Sequence, residues 1–219
     1  KIQSSGNLLL ELVNDTLDLS RIESGKLVLK PEAVDGRKYW EGIVTAMEPS
    51  AAVKNIMLVK DTSDWPQQLL MVDNVQVKKV LLNIISNAVK YTPAGGRVYV
   101  NVEALEPPVH GCTRRITVED TGIGMSREFM ERMFEPFSQE HRFEMSNVTG
   151  TGLGIAIVQK IVDFMGGRIK VTSVLHQGTK FVVDLPLQAW DRADTAAKHA
   201  QARVKAIDEG LAGCRVLLC

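Results

Sequence analysis

The sequence predicts an α+β protein, a two-layer α/β sandwich preceded by a separate helix. Three patterns support this prediction. Apolar residues recur at helical spacing over residues 1–25, strand-like and helix-like segments alternate over residues 26–187, and the strand-like segments alternate apolar with polar residues. Such alternation is typical of a sheet with one buried and one solvated face.

The first segment, 1–25, has the spacing of a helical bundle. A series of mostly apolar positions advances by alternating steps of three and four residues, which is the a/d seam of a bundle helix. The positions are Ile2, Ser5, Leu9, Leu12, Thr16 and Leu19. Gly25 is expected to end the helix. An amphipathic helix that lies on its own domain is the alternative interpretation.

The sandwich is expected to contain seven strands and four helices. The strands are predicted at 27–29, 56–59, 69–72, 97–105, 114–119, 168–174 and 180–185. The helices are predicted at 37–53, 75–90, 126–133 and 152–165.

The helix at 75–90 has one apolar face, and Asn83, Asn87 and Lys90 share the opposite face at spacings of four and three. The amide oxygen of Asn87 is a suitable hard ligand for Mg²⁺, which takes only one or two protein oxygens beside substrate phosphates. Lys90 offers a point charge for a phosphate. A solvated helix face is the alternative interpretation.

Asp120 ends the strand-like segment 114–119 and is followed by Gly122 and Gly124. A carboxylate at a strand end can accept a hydrogen bond from an exocyclic amine, which adenine offers, and the two glycines are expected to leave room for the base. An ordinary turn residue is the alternative interpretation of Asp120.

A second glycine cluster, at 150–154, leads directly into the helix predicted at 152–165. A glycine-rich turn that opens a helix aims free N–H groups at an anion, so phosphate is the expected ligand. The pattern of a Walker-type loop is absent from the chain. The cluster also follows a polar stretch instead of the strand that a dinucleotide fingerprint needs.

Four motifs follow one another along the chain, at 83–91, 120–124, 134–137 and 150–154. This arrangement resembles the N, G1, F and G2 boxes of the catalytic ATP-binding domain of sensor histidine kinases, within the gyrase, chaperone and histidine-kinase superfamily. The resemblance implies a mixed sheet with helices on one face, with ATP and Mg²⁺ as cofactors. It also implies transfer of the γ-phosphoryl group to a histidine upstream of this chain, for relay to a response-regulator aspartate.

The resemblance assigns roles to individual residues. Asn87 and Lys90 are implied to be catalytic, and Asn87 is the implied metal ligand. Asp120 is implied to bind the adenine amino group, and Thr179 to support it. The implied ATP-binding residues are Asn83, Asn87, Lys90, Tyr91, Asp120, Gly122, Ile123, Gly124, Arg142, Gly150, Thr151, Gly152, Leu153, Gly154 and Thr179.

The polar segment 138–149 is predicted to be a lid over the nucleotide, because loops of this length inside a compact domain are usually functional. Phe134 and Phe137 are expected to anchor its hinge in the core. By resemblance to some relatives, Arg142 would reach the γ-phosphate, although a solvent-exposed arginine is an equal alternative.

Residues 14–25 resemble the end of the second helix in the dimerisation and phosphoacceptor domain of these kinases, which implies a homodimer through a helical bundle. None of the four histidines, His110, His141, His176 and His199, has the acidic helical neighbour that a nucleophilic histidine needs. The acceptor is therefore expected upstream of the chain.

The C-terminal part divides into an alanine-rich, charged linker at 188–212 and a short apolar run at 213–219. The apolar run resembles the first strand of a receiver domain. The resemblance implies a hybrid kinase, with a receiver domain as partner in cis or in trans.

Composition narrows the class of protein. Twenty-six basic and twenty-six acidic residues cancel, and no basic block indicates nucleic acid as a partner. The apolar runs are far shorter than a membrane span, so no membrane contact is expected within this chain. Three cysteines without metal-ligand spacing fit a cytoplasmic location, and membrane anchoring of the parent protein is left open. An ATPase of the chaperone or topoisomerase type and a catalytically silent scaffold are the rival functions.

Overall fold

The computed structural model describes residues 2–63, 65, 68–140 and 151–190, without the side chains of residues 2–5, 7, 8 and 11. The strands are β1 (Glu32–Asp35), β2 (Met57–Asp61), β3 (Leu69–Val72), β4 (Arg97–Val109), β5 (Cys112–Asp120), β6 (Arg168–Val174) and β7 (Gly178–Leu185). The helices are α1 (Ile2–Glu23), α2 (Gly36–Thr45), α3 (Glu48–Val53), α4 (Asn74–Tyr91), α5 (Arg127–Arg132) and α6 (Gly154–Phe164).

Five strands form the main sheet in the order β2-β4-β5-β7-β6. The β2–β4 pair is parallel and the other three pairs are antiparallel, so the sheet is mixed. Alternate residues of β5 are buried, and α4 and α6 pack on this buried face. On the opposite face Asn101, Thr117 and Glu119 are partly or fully exposed. The predicted α+β class and one-sided sandwich are confirmed.

The core between sheet and helices is aliphatic. Val80, Ile84 and Ile85 of α4 and Ile157 and Ile161 of α6 have no solvent exposure. They face β-branched residues of the central strands, as expected for a helix layer packed on a pleated surface. Because α4 and α6 are held by this shared core, their polar ends keep fixed positions at one edge of the sheet.

Two predicted elements differ from the structure. Residues 27–29 form no strand; instead β1 starts at Glu32 and pairs antiparallel with β3 in a separate two-stranded sheet. The short apolar alternation was misleading because those residues connect α1 to β1. The helix expected at 37–53 is two helices, α2 and α3, because the chain turns at Ala46 and Met47. Helix α3 then starts at Glu48, with Pro49, a residue suited to a first helical turn, directly after it.

The predicted start of the linker at 188 also needs correction. Residues 188–190 pair with β3: Met71 donates its N–H to the Gln188 carbonyl at 2.9 Å, and Trp190 donates to the Leu69 carbonyl at 2.8 Å. Ala189 forms a bridge with Leu70. The remainder of the predicted linker and the run at 213–219 lie outside the described residues.

Helix α1 lies partly on its own domain. Leu12, Leu19 and Ile22 pack against the core, and α1 contacts α6. Two residues of the predicted bundle seam, Leu12 and Leu19, are thus turned inward, while Leu9 of the same seam is 64 % exposed. The heptad pattern did not distinguish a partner helix from the neighbouring α6, since both bury an apolar stripe. In the described part of the chain, no helix has the length and apolarity of a membrane span.

Candidate nucleotide site

Helix α4 presents a polar edge to a cleft, and both of its ends are fixed. At the N-terminus the Asp73 carboxylate accepts a hydrogen bond from the Gln76 N–H at 3.0 Å, a normal N-cap. At the C-terminus the Lys54 ammonium donates to the carbonyls of Val89, Lys90 and Thr92 at 2.7 to 3.0 Å. Burial lowers the pKa of Lys54. These contacts fix the last turn of α4, where the expected phosphate ligands lie.

The structure places Asn87, Lys90 and Tyr91 at the cleft. The Lys90 ammonium lies 5.0 Å from the centre of the Tyr91 ring, a cation–π distance. Burial raises the pKa of the Tyr91 phenol, so this side chain is neutral at physiological pH. The amide of Asn87 and the ammonium of Lys90 therefore face one cavity, as the helical spacing predicted.

Asn83 does not line the cleft. Its amide Nδ2 donates to the Lys79 carbonyl at 3.1 Å. Its Oδ1 lies 2.8 Å from the position that a Cβ on Gly154 would occupy, so it contacts the start of α6 directly. Asn83 shares a helix face with Asn87, but one turn earlier that face meets α6 instead of the cavity.

Asp120 is the last residue of β5, only 7 % exposed, and lines the cleft. Its Oδ1 accepts the Gly122 N–H at 2.8 Å. Burial is the main cause that raises the pKa of this carboxyl to about 6, and hydrogen bonds from the backbone of Gly122 and Thr179 oppose the shift. A buried carboxylate whose charge is so weakly compensated is suited to receive a donor from a ligand.

The glycines after Asp120 are required by the protein's own packing. A Cβ at Gly122 would lie 2.5 Å from Asp120 Oδ1, and a Cβ at Gly124, where φ is +64°, would lie 2.0 Å from the Val174 carbonyl oxygen. Of these two, only Gly124 lines the cleft. Gly124 allows a close approach between this turn and the β6–β7 hairpin, and Gly122 lies against Asp120 and the Tyr91 backbone. That both leave room for a base stays a prediction.

Ile123, between those glycines, lies outside the cleft and connects elements through its backbone. It donates its N–H to the Tyr91 carbonyl at 3.2 Å and accepts the His176 N–H at 2.7 Å. Thr179 does line the cleft, and its hydroxyl lies 2.9 Å from that of Ser173. The turn after Asp120 is thereby joined both to the end of α4 and to the β6–β7 hairpin.

The second glycine turn opens α6, which begins at Gly154. Thr151, Gly152 and Gly154 line the cleft, whereas Leu153 is fully buried in the core. Gly152 has φ +73°, and a Cβ there would lie 2.8 Å from the Phe137 carbonyl carbon. The N-terminus of α6 thus lies at the cavity, which is the position that an anion site at a helix start requires.

The predicted hinge is only half correct. Phe134 packs against the core, but the Phe137 side chain is 62 % exposed and only its backbone contacts the glycine turn. Of the expected lid, Ser138 and Glu140 line the cleft, and Glu140 Oε1 accepts the Ser126 N–H at 3.2 Å. Arg142, Gly150 and the rest of the lid lie outside the described residues.

The cleft is open to solvent at its mouth, and together with this open part its volume is about 970 Å³. Sequence analysis missed several of its lining residues, all of them apolar. They are Ala88, Met125, Phe129, Met133, Ile155 and Phe181. Phe181 was detectable as an inward position of a strand. Met125 and Phe129 follow no periodic signal, because tertiary packing alone brings α5 to the cleft.

The cleft offers few protein side chains that could bind a metal ion. Within the described ranges, no group of three or more histidine, cysteine, aspartate or glutamate side chains could hold a metal ion. The Asn87 amide stands beside Lys90 at the cleft. This donor set fits Mg²⁺, which takes one or two protein oxygens and completes its octahedron with water and phosphate oxygens.

Comparisons with known proteins identify the family of this chain. A family model described as "Histidine kinase-, DNA gyrase B-, and HSP90-like ATPase" matches residues 72–189. The "Non-motile and phage-resistance protein" of Caulobacter vibrioides is 36 % identical over 194 residues, which are 89 % of this chain and 23 % of that protein. The "Autoinducer 2 sensor kinase/phosphatase LuxQ" of Vibrio parahaemolyticus is 33 % identical over 93 % of this chain and 24 % of its own length. The chain therefore spans about a quarter of these relatives.

Among solved structures, full-length ShkA in complex with AMPPNP superposes with a TM-score of 0.72 at 33 % identity. The match covers 85 % of this chain and 37 % of that one.

Proposed function

Because this chain belongs to the family of histidine kinase-, DNA gyrase B- and HSP90-like ATPases, we propose that it is the ATP-binding catalytic part of a two-component sensor histidine kinase. The family and the fold class predicted from the sequence are confirmed by these matches. The reaction is transfer of the γ-phosphoryl group of ATP to a ring nitrogen of a histidine upstream of residue 1.

One observation carries the proposal. A buried strand-end carboxylate, a helix edge with Asn87 and Lys90, and a glycine turn at a helix start all line the same cleft. These three features suit the three parts of Mg·ATP: the exocyclic amine of adenine, the phosphates with their metal, and the anionic phosphate tail at a helix dipole. Apolar residues such as Phe129 and Phe181 complete the cavity for a flat base.

Each residue then has a specific task. Asp120 accepts the adenine amino group, with Thr179 beside it. Lys90 and the N-terminus of α6 hold and neutralise the phosphates, and Asn87 holds Mg²⁺. When bound, Mg²⁺ neutralises charge on the transferring phosphoryl group. Phosphoryl transfer depends chiefly on such positioning and charge stabilisation.

The nucleophile lies elsewhere in the parent protein. In the described part of the chain, His110 and His176 occupy hairpin turns with φ of +52° and +61°, each joining two strands. Neither sits on a helix beside an acidic group. After transfer, the phosphoryl group passes to a receiver aspartate, in cis or in trans. The LuxQ relative is described as a sensor kinase and phosphatase, which agrees with this assignment.

The exposed face of α1 supports a homodimer. Leu9, Leu10, Val13 and Leu17 are each at least half exposed, although they are aliphatic. Their spacing places them on the side of α1 away from Leu12 and Leu19, which pack on the core. In a four-helix bundle formed by two chains, each contributing this helix and one helix upstream of it, the exposed side would be buried.

Calorimetric titration tests the nucleotide assignment. We expect ADP to bind with Mg²⁺ and GDP to bind at least about 100-fold more weakly, because guanine presents a carbonyl where adenine presents an amine, and two acceptors would then face each other at Asp120. Equal affinity for ADP and GDP would contradict the adenine site. Absence of ADP binding would favour the silent scaffold.

A labelling experiment tests the kinase assignment. With γ-labelled ATP, the 219-residue chain should acquire no acid-labile phosphate. A chain extended upstream to include the helix that carries the acceptor histidine should acquire it. Steady hydrolysis of ATP by the 219-residue chain alone would support the chaperone or topoisomerase type instead.

A further inference from the structure

A cluster of charged side chains joins α1 to α4. The Lys79 ammonium lies 3.6 Å from Asp15 Oδ1 and also pairs with Asp18 Oδ2. Asp15 is 8 % exposed, whereas the Asp18 side chain is 36 % exposed. Lys79 therefore also forms an ion pair with a carboxylate close to solvent, and its ion pairing does not depend on Asp15 alone.

The second oxygen of Asp15 contacts the nucleotide site. Asp15 Oδ2 accepts a hydrogen bond from the Thr151 hydroxyl at 3.3 Å. The same hydroxyl oxygen accepts the Leu153 N–H at 3.2 Å. Thr151 lines the cleft together with Gly152 and Gly154. The buried carboxylate of Asp15 on α1 is thus connected, through the Thr151 hydroxyl, to the backbone at the start of α6.

The two contacts fix the turn from both sides. The Thr151 hydroxyl can donate only one proton, and donation to Asp15 leaves its lone pairs for the Leu153 N–H. On the other side, Asn83 contacts Gly154 and donates to the Lys79 carbonyl. Residues of α1 and α4 therefore enclose the glycine turn, and Asp15 is the member of this enclosure that belongs to the bundle helix.

Burial of Asp15 requires an explanation other than stability. Buried ion pairs contribute little net stability compared with apolar packing, whereas they do fix one geometry. Leu12 and Leu19 already supply apolar contact between α1 and the core. A carboxylate between them fixes where the Thr151 hydroxyl must lie.

We propose that Asp15 is a positioning residue for nucleotide binding, which holds the phosphate-binding turn at residues 151–154 through the Thr151 hydroxyl. This inference rests on the proposed function of the cleft. It makes phosphate affinity depend on the seating of α1, and by thermodynamic reciprocity a bound nucleotide strengthens the seating of α1 by the same factor.

The test compares two carboxylates that share Lys79. Asp15→Ala removes the contacts with both Lys79 and Thr151, whereas Asp18→Ala removes only a contact with Lys79. Calorimetry of the 219-residue chain should show ADP affinity about 10-fold lower for Asp15→Ala and within about two-fold of wild type for Asp18→Ala. Adenosine affinity should be unchanged in both, because the turn lies on the phosphate side of the cleft.

Variants at Thr151 keep the inference testable if Asp15→Ala does not fold. Thr151→Val should reproduce the loss of ADP affinity, and Thr151→Ser, which keeps the hydroxyl, should restore it. In a double-mutant cycle, Asp15→Ala with Thr151→Val should be no weaker than either single variant, whereas additive losses would overturn the proposal. If wild type binds ADP and Asp15→Ala binds it equally, this inference alone fails. If wild type binds no ADP, the proposed function fails.

Discussion

The two sides of the cleft are built differently. The sheet wall, formed by Asp120, Gly124, Thr179 and Phe181, belongs to β5, β7 and the turn beside them. In that sheet Asp120 pairs in register with Thr179 on the neighbouring strand. The helix wall, formed by Asn87, Lys90, Thr151 and Gly152, is placed by side chains of other elements. Lys54 fixes one of its ends and Asp15 the other.

This difference separates recognition of the base from control of phosphate binding. A wall positioned by a continuous backbone ladder keeps its geometry whatever the rest of the molecule does. A wall positioned by side chains from α1 and α3 changes when those elements move. Under the proposed function, recognition of the base would depend on the sheet alone, whereas binding of the phosphates would also depend on how α1 is seated.

The largest expected effect is at the sheet wall. Asp120→Ala should weaken ADP binding by at least about 1,000-fold, because the bound base loses a charge-assisted hydrogen bond and also buries the Gly122 and Thr179 N–H groups without their acceptor. Calorimetric titration measures this loss. The matched control is Asp184→Asn, a change at another buried carboxylate of the sheet, which accepts two hydrogen bonds from Arg115 away from the cleft. It should leave ADP affinity unchanged.

The second prediction concerns the cost of keeping Asp120 charged. Its pKa rises from 3.8 in the unfolded chain to about 6 in the fold, so the fold favours the neutral carboxyl. This contribution to stability is fully present below pH 4 and is lost as pH rises through 6. Between pH 4 and pH 8, unfolding by denaturant should show Asp120→Asn gaining up to about 3 kcal/mol over wild type.

Nucleotide binding should have the opposite pH dependence, because the adenine amine needs the ionised carboxylate. ADP affinity of the wild type should fall as pH drops below 6. A stability difference between wild type and Asp120→Asn that does not change with pH would contradict the buried, weakly compensated carboxyl.

The third prediction tests how rigid the sheet wall is. Gly124 and Gly95 both have positive φ, but a Cβ would collide with the Val174 carbonyl at Gly124 and meets open space at Gly95. Gly124→Ala should therefore reduce the free energy of unfolding by about 2 kcal/mol more than Gly95→Ala, which carries only the backbone strain. Thermal denaturation of the two variants gives the comparison, and equal losses would mean that the turn can move away from the hairpin.

The smallest effect is expected at the helix wall. Lys90→Ala should lower ATP affinity about 10-fold through loss of one phosphate contact, and should leave adenosine affinity unchanged. Titration of one variant with both ligands separates the walls directly. A parallel loss for adenosine would show that Lys90 acts on the base side, through its contact with the Tyr91 ring.

Local patterns predicted most of the strands and several of the residues at the ends of strands and helices. Strands 69–72 and 168–174 were predicted with the observed bounds, and Asn87, Lys90 and Asp120 lie at the cleft as expected. Periodicity succeeds there because a half-buried strand or helix repeats its environment at regular intervals.

The failures occur where an environment is set by a neighbouring element. Asn83 has the same helical face as Asn87, yet it meets α6 and not the cavity, because α6 crosses α4 at that turn. Gly122 lies against the Tyr91 backbone, where a Cβ would be 2.7 Å from the Tyr91 carbonyl oxygen, a contact that the local sequence did not indicate. The Asp15–Thr151 contact joins residues 136 positions apart, and no spacing rule in a single sequence could relate them.

The small sheet brings together the two segments of chain that enter and leave the sandwich. Strand β3 pairs with β1, which leads in from α1, and on its other edge with residues 188–190, which lead out. Adjacent strands are about 4.8 Å apart, so the incoming and outgoing chain pass about 10 Å from each other at Leu70. The small sheet therefore holds the chain that enters the sandwich and the chain that leaves it at a constant distance from each other.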